Sequence, residues 1–144
     1  MTALLNNKWL MKYLKPRRFE YLGKSSLYTR LGVKVFKKYV PTSGDKVRKL
    51  WGIKQIKMNQ QDRFAELYQY ELKTRSFEFR HLLGMLAFIV ALFLIDKTYT
   101  WFDYVFVGVM FLIVNIYPIL LQRHNRIRIL NILEKYDQSS PYTS

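Results

Sequence analysis

The sequence LLGMLAFIVALFLIDKTYTWFDYVFVGVMFLIVNIYPILL, residues 82–121, decides the fold: two apolar runs joined by a short polar turn. Run 82–95 is unbroken, and as an α-helix it extends about 21 Å at ~1.5 Å per residue. That falls short of a hydrocarbon core ~30 Å thick. Continuing the helix through Phe77, Phe79 and His81 at one end, and on to Tyr99 and Trp101 at the other, brings aromatic anchors to both interfaces. The second run, 104–121, is longer and contains Asn115 and Pro118. These patterns predict membrane spans at about 79–97 and 102–122.

Charge sets the orientation of this hairpin. Residues 1–80 hold 19 of the 24 Lys and Arg, the turn holds only Lys97, and Arg123, Arg126, Arg128 and Lys135 follow the second run. The positive-inside bias then puts both termini in the cytoplasm and the turn outside, in a multi-pass protein of a bacterial cytoplasmic (inner) membrane. No cleavable signal peptide is expected, because residues 1–14 are interrupted by Lys8 and Lys12 and lack a small-residue cleavage site. A net charge of +14 with 17% aromatic residues suits an anionic lipid surface, and membrane lipids are the expected partner. Nucleic acid is not, since the basic residues are interleaved with interface-seeking aromatics. The absence of cysteine excludes disulfides, thiolate metal sites and cysteine nucleophiles.

The fold class that follows is an all-α membrane protein, a two-span helical hairpin near the C-terminus with basic amphipathic interfacial helices in the N-terminal half. Within 1–14, Leu5, Trp9, Leu10, Tyr13 and Leu14 gather on one helical face, with Lys8, Lys12 and Lys15 mainly on the other, and Pro16 ends the helix. Segment 27–40 mixes Leu31, Val35, Phe36 and Tyr39 with Lys34, Lys37 and Lys38, and a turn at 41–44 follows. From Asp62, a candidate N-cap, the pattern reads as helix without Gly or Pro until Gly84. The chain divides into a basic interfacial region (1–61), a long helix with the hairpin (62–137) and a flexible tail (138–144).

Signatures of serine hydrolases, P-loops and zinc proteases are absent, and no metal site is expected. The remaining chemistry lies on one helical stripe: Glu71, Arg75, Glu78 and His81 follow at spacings of four, three and three. Glu78 one turn before His81 fits a general base, the carboxylate orienting the imidazole. The same spacing also fits Glu78 pairing with Arg75 or Arg80 while His81 sits at the interface. A second cluster, Gln122, Arg123, His124, Asn125 and Arg126, follows the second run directly. It suits an anionic head group or the phosphates of coenzyme A, or equally a plain positive-inside stop signal. Asn115 is a candidate for an interhelical or substrate hydrogen bond, and Pro118 frees the carbonyl of Val114. Arginines around His124 oppose its protonation.

These residues carry a resemblance. Leu27-Tyr-x-x-Leu-Gly-Val-Lys34, Phe36-Lys-Lys38, Pro41-x-x-Gly44-Asp45, Glu78-x-x-His81, Asn115-x-x-Pro118 and Gln122-Arg-x-Asn-Arg-x-Arg128 occur in the order seen in the glycosyl-4,4'-diaponeurosporenoate acyltransferase family, the staphyloxanthin-type carotenoid acyltransferases, which the chain resembles. The resemblance implies transfer of a fatty acyl group to a hydroxyl of a lipid-soluble acceptor, a glycosylated carotenoid in the family's known case. No bound cofactor is implied; acyl-coenzyme A or another acyl donor serves as co-substrate. His81 and Glu78 are then the catalytic candidates. Asn115, Gln122, Arg123, Asn125 and Arg126 are candidates for substrate binding, together with Glu71, Arg75, Lys34, Lys37 and Lys38. The family position held by His124 is commonly Tyr, which leaves His81 as the better base. Two spans enclose little, so a homo-oligomer or a pathway enzyme is the expected partner class. The competing class is a non-enzymatic lipid-binding or assembly protein that grips the anionic leaflet through its basic half.

Overall fold

The computed structural model describes residues 7–22, 25–39, 63–94 and 98–142. The turn at 41–44 and the N-cap expected at Asp62 lie outside them.

Helix α1 (Lys8–Leu14) starts where the Asn7 side chain accepts the backbone N–H of Trp9 at 3.0 Å. It stops at Lys15, held extended as the residue before Pro16 must be. Leu14 is fully buried while Trp9 is 82% exposed, so the helix docks by its C-terminal end and leaves an aromatic outward. A 3-10 turn, Arg18–Glu20, leads into a two-residue antiparallel ladder, β1 (Tyr21–Leu22) with β2 (Ser25–Ser26), pairing Tyr21 with Ser26. This ladder is the only departure from helix in regular structure among the described residues. Segment 27–39, expected as one helix, is two: α2 (Leu27–Arg30) and α3 (Val33–Tyr39). Gly32 between them has φ +76, a conformation that costs glycine nothing and breaks the helix there.

The remainder is a helical hairpin. Helix α4 (Arg63–Leu94) has 32 residues, about 48 Å at ~1.5 Å per residue, longer than a bilayer's apolar core. Its first half is therefore a polar extension of the span. Helix α5 (Trp101–Phe111) opens on a capping box in which Thr100 and Asp103 satisfy each other's backbone N–H groups. A π turn, Leu112–Ile116, joins it to α6 (Tyr117–Lys135).

Both long helices carry an apolar window long enough to cross a membrane, and only 6% and 17% of those windows are buried. A core helix of a soluble protein would hide its apolar side chains. Here Phe93, Phe102 and Phe106 point outward, 86%, 82% and 67% exposed, as lipid-facing residues do.

Helices α4 and α6 pack antiparallel along a seam that changes character with depth. Leu67 packs with Ile129 and Leu133 at the polar end. Charged pairs between Glu71, Arg75, Glu78, Arg123 and Arg126 come next. His81 with Val114 and Gly84 beside Asn115 follow, and Phe88 meets Phe111 at 5.5 Å nearest the turn. The α4 positions advance by three or four, the helical repeat that keeps one face on the partner. Helix α3 lies against this pair through Phe36, stacked 4.8 Å from Tyr117.

Candidate functional site

The stripe predicted on α4 forms, but its side chains take partners from other elements. Glu78, fully buried, accepts from Arg123 Nε at 2.8 Å through one oxygen and pairs with Arg126 Nη1 at 2.7 Å through the other. It does not orient His81, and it does not pair with Arg75 or Arg80. Arg75 is held by Glu71 one turn earlier, Nε to Oε1 at 2.7 Å and Nη2 to Oε2 at 2.6 Å, and the Arg80 guanidinium lies over the Phe77 ring. Two arginines reaching across from α6 outcompete these same-helix alternatives, because a buried carboxylate is best met by charged donors on both oxygens.

Glu20 completes the lattice and had no signal in the sequence. It is fully buried, and its oxygens accept from Arg123 Nη1 at 2.9 Å, from the backbone N–H of Arg17 at 3.0 Å and from the Tyr28 hydroxyl at 2.6 Å. The Arg123 fork is filled on all three nitrogens, since Nη2 donates to the carbonyl of Tyr13 at 3.0 Å and the guanidinium lies 4.8 Å from that ring's centre. Arg126, also fully buried, donates to the carbonyl of Leu14 at 2.7 Å and to Thr74 Oγ1 at 3.2 Å. Its Nη2 has no hydrogen-bond partner among the described residues. Glu20, Glu71 and Glu78 thus face Arg75, Arg123 and Arg126, three charges against three.

His81 lies one turn deeper, half-buried, with its imidazole hydrogen-bonded to the backbone carbonyl of Val114 in the π turn. Asn115 beside it is 4% exposed. A Cβ on Gly84 would lie 3.5 Å from the Asn115 Oδ1, so the absent side chain makes room for the amide. Gln122 and Asn125 are half-buried on α6. Lys34, Lys37 and Lys38 lie on α3, away from His81. Lys34 and Lys37, with Arg128, come near His124 and push its pKa down, an effect in which burial is the largest cause.

His124 has an unforeseen partner: Ser26 Oγ and His124 Nδ1 share a buried hydrogen bond of 2.6 Å. Ser26 occupies the N-cap position of α2 but makes no cap bond, so its hydroxyl is turned to the imidazole. The C-terminal residues, expected as a flexible tail, are docked as far as they are described. Tyr68 donates to the carbonyl of Ser139, and the Tyr142 hydroxyl donates to Glu71 Oε1 at 2.5 Å while Arg75 lies 4.6 Å from the Tyr142 ring centre. Beside this tail is a cavity of about 540 Å³ lined by Lys15, Tyr21, Leu133, Glu134, Gln138 and Tyr142. Thr74 and Tyr142 carried a weak signal as hydroxyls three turns or fewer from charged residues; Glu20 and Ser26 carried none, because their partners are 98 or more residues away.

Two outcomes test this lattice. Arg126→Ala removes the charge facing Glu78 and Glu71 and is expected to destabilise the protein by about 3–5 kcal/mol, measured by thermal or denaturant unfolding in detergent. The second concerns pH. Burial, followed by the Glu20 carboxylate for Tyr28 and the Glu71 carboxylate for Tyr142, pushes both hydroxyls above their ordinary pKa of 10.0. A raised folded pKa contributes stability that is complete below the unfolded pKa and is lost as pH rises toward the folded one. The unfolding midpoint is expected to fall between about pH 9 and about pH 11, and to fall less in Tyr142→Phe.

The family model described as glycosyl-4,4'-diaponeurosporenoate acyltransferase matches residues 7–135. No curated protein and no solved structure matches the chain significantly.

Proposed function

The chain belongs to the glycosyl-4,4'-diaponeurosporenoate acyltransferase family, and on that premise we propose that it moves a fatty acyl group from acyl-coenzyme A, or another acyl donor, to a hydroxyl of a membrane-dissolved acceptor such as a glycosylated carotenoid. His81 is the general base. The observation that carries this role is its hydrogen bond to the Val114 carbonyl. A carbonyl only accepts, so the ring nitrogen facing it carries the hydrogen, and in the neutral imidazole the other nitrogen has the free lone pair. That nitrogen takes the acceptor's hydroxyl proton as the oxygen attacks the acyl carbon. The tetrahedral oxyanion then collapses, and the departing thiolate of the donor leaves with the proton.

Glu78 serves this chemistry through α6 and not through His81. By holding Arg123 and Arg126 it sets the α4–α6 register that brings Val114 and Asn115 beside the imidazole. Arg123, with its fork filled, is a structural member. Arg126 keeps one buried N–H group without a partner among the described residues, which supports a part in holding the anionic donor or the oxyanion. Asn115 is a second candidate donor at the depth of His81, while Gln122 and Asn125 extend the polar surface of α6. Glu71 and Arg75 border the tail and its cavity, where a polar head group has room. Lys34, Lys37 and Lys38 attract anionic lipid or coenzyme A phosphates to the same end. The hairpin crosses the bacterial inner membrane with both termini cytoplasmic, and a second copy or a pathway enzyme completes the enclosure around the acceptor.

The rival reading, a non-enzymatic lipid-binding or assembly protein, draws support from the cavity of about 540 Å³, whose lining does not include His81. Purified protein given radiolabelled palmitoyl-coenzyme A and a lipid extract from a carotenoid-producing bacterium separates the two. Label is expected in the lipid fraction, and His81→Ala is expected to slow its appearance by about 10²–10⁴-fold. Full activity in that variant would end the role of His81, and no transfer by the native chain would favour the rival. The orientation is testable because the chain has no cysteine. In intact cells a membrane-impermeant maleimide is expected to label Thr98→Cys and to spare Gln138→Cys, with the reverse pattern refuting the topology.

A further inference from the structure

In an α-helix each N–H donates to the carbonyl four residues back, and proline has no N–H to donate. Pro118 therefore leaves the carbonyl of Val114 without its helical partner. The π turn adds to this, because the N–H of Tyr117 donates to Leu112 and so misses Ile113, its ordinary acceptor. Two consecutive carbonyls thus lose their regular donors within an apolar stretch, where an unmet carbonyl is unfavourable. One of the two, Val114, is the carbonyl that His81 binds. Asn115, in the same turn, is 4% exposed and abuts Gly84, one turn beyond His81 on α4.

We infer that Pro118 is a positioning residue: its missing N–H reserves the Val114 carbonyl for His81 and thereby fixes the tautomer and ring orientation of the imidazole. This rests on the reading of His81 as the base. In serine-type triads a carboxylate gives the histidine its tautomer and orientation. Here the only carboxylate within one turn of His81 on its own helix, Glu78, is taken by two arginines, and a main-chain oxygen does the work. An uncharged acceptor suits this depth, since a second carboxylate in the span would need its own cation. Single π turns recur at functional sites because they offer backbone groups that a regular helix conceals.

The test is Pro118→Ala, which returns an N–H to the helix. Proline inside a helix is unfavourable, so the variant is expected to melt at the same temperature or higher. Its kcat for acyl transfer is expected to fall by about tenfold to a hundredfold, less than the loss from removing the base, with KM within about twofold. Nitrogen-15 NMR of the histidine rings reads the mechanism directly, with His124→Gln identifying the His81 signals. The native chain is expected to show one His81 tautomer and Pro118→Ala a mixture. Pro118→Leu, which also returns the N–H but keeps a bulky side chain, is expected to behave as Pro118→Ala. Unchanged kcat with an unchanged tautomer would overturn the inference. So would lost activity accompanied by a lower melting temperature and an unchanged tautomer, the pattern of a purely structural proline. If Pro118→Ala shifts the tautomer but the native chain transfers no acyl group, the positioning of His81 stands and the reaction assigned to it falls.

Discussion

Glu78 and Arg126 meet at 2.7 Å with neither side chain exposed, and the arrangement of every neighbouring element answers to that contact. An ion taken out of water must be matched by an opposite ion and by hydrogen bonds to its remaining atoms, or the fold that buries it is lost. Arg126 obtains these from Thr74 and from the carbonyl of Leu14, the last residue of α1. Arg123 obtains them from Glu20 and the carbonyl of Tyr13. The N-terminal segment is thus tied to the hairpin less by apolar area than by its carbonyls and one carboxylate, which saturate two arginines that α4 alone leaves unsaturated.

The lattice also sets the depth of the chemistry. Moving along the seam, charge-balanced pairs give way at His81 to a neutral imidazole–carbonyl contact, then to an amide beside a glycine, then to stacked phenylalanines. A reaction between a donor with an ionic head and an acceptor dissolved in lipid needs a base at such a boundary. Deeper, the ionic head is excluded; shallower, the acceptor is. Because the register between α4 and α6 is fixed by Glu78 at one end and by the Gly84–Asn115 approach at the other, His81 has little freedom to choose a different carbonyl.

The two histidines illustrate how environment separates like residues. His81 faces a backbone oxygen on the hairpin seam, whereas His124 shares its hydrogen bond with Ser26 and has Arg128, Lys34 and Lys37 as charged neighbours. Cations and burial both disfavour the imidazolium at His124, so that ring stays a neutral partner of a serine hydroxyl. The docked tail acts on the same lattice from outside, placing the Tyr142 hydroxyl on Glu71 where an exposed carboxylate would otherwise meet water.

By itself the sequence determined what periodicity and composition encode. Two apolar runs about a turn, a stripe at 71, 75, 78 and 81, a carbonyl freed at Val114 by Pro118 and a helix ended at Pro16 all follow from covalent geometry and hydrophobicity, which act over a few residues. Only the tertiary structure decided which partner each polar group takes. Glu78 has Arg75 and His81 one turn away and Arg123 and Arg126 on another helix; nothing local ranks them, and burial selects the pair that satisfies both its oxygens. Glu20, Ser26 and Tyr142 were invisible for the same reason. A buried hydrogen bond is specified by where distant segments meet, and that meeting is settled by the packing of the whole chain, not by the residues on either side of each group.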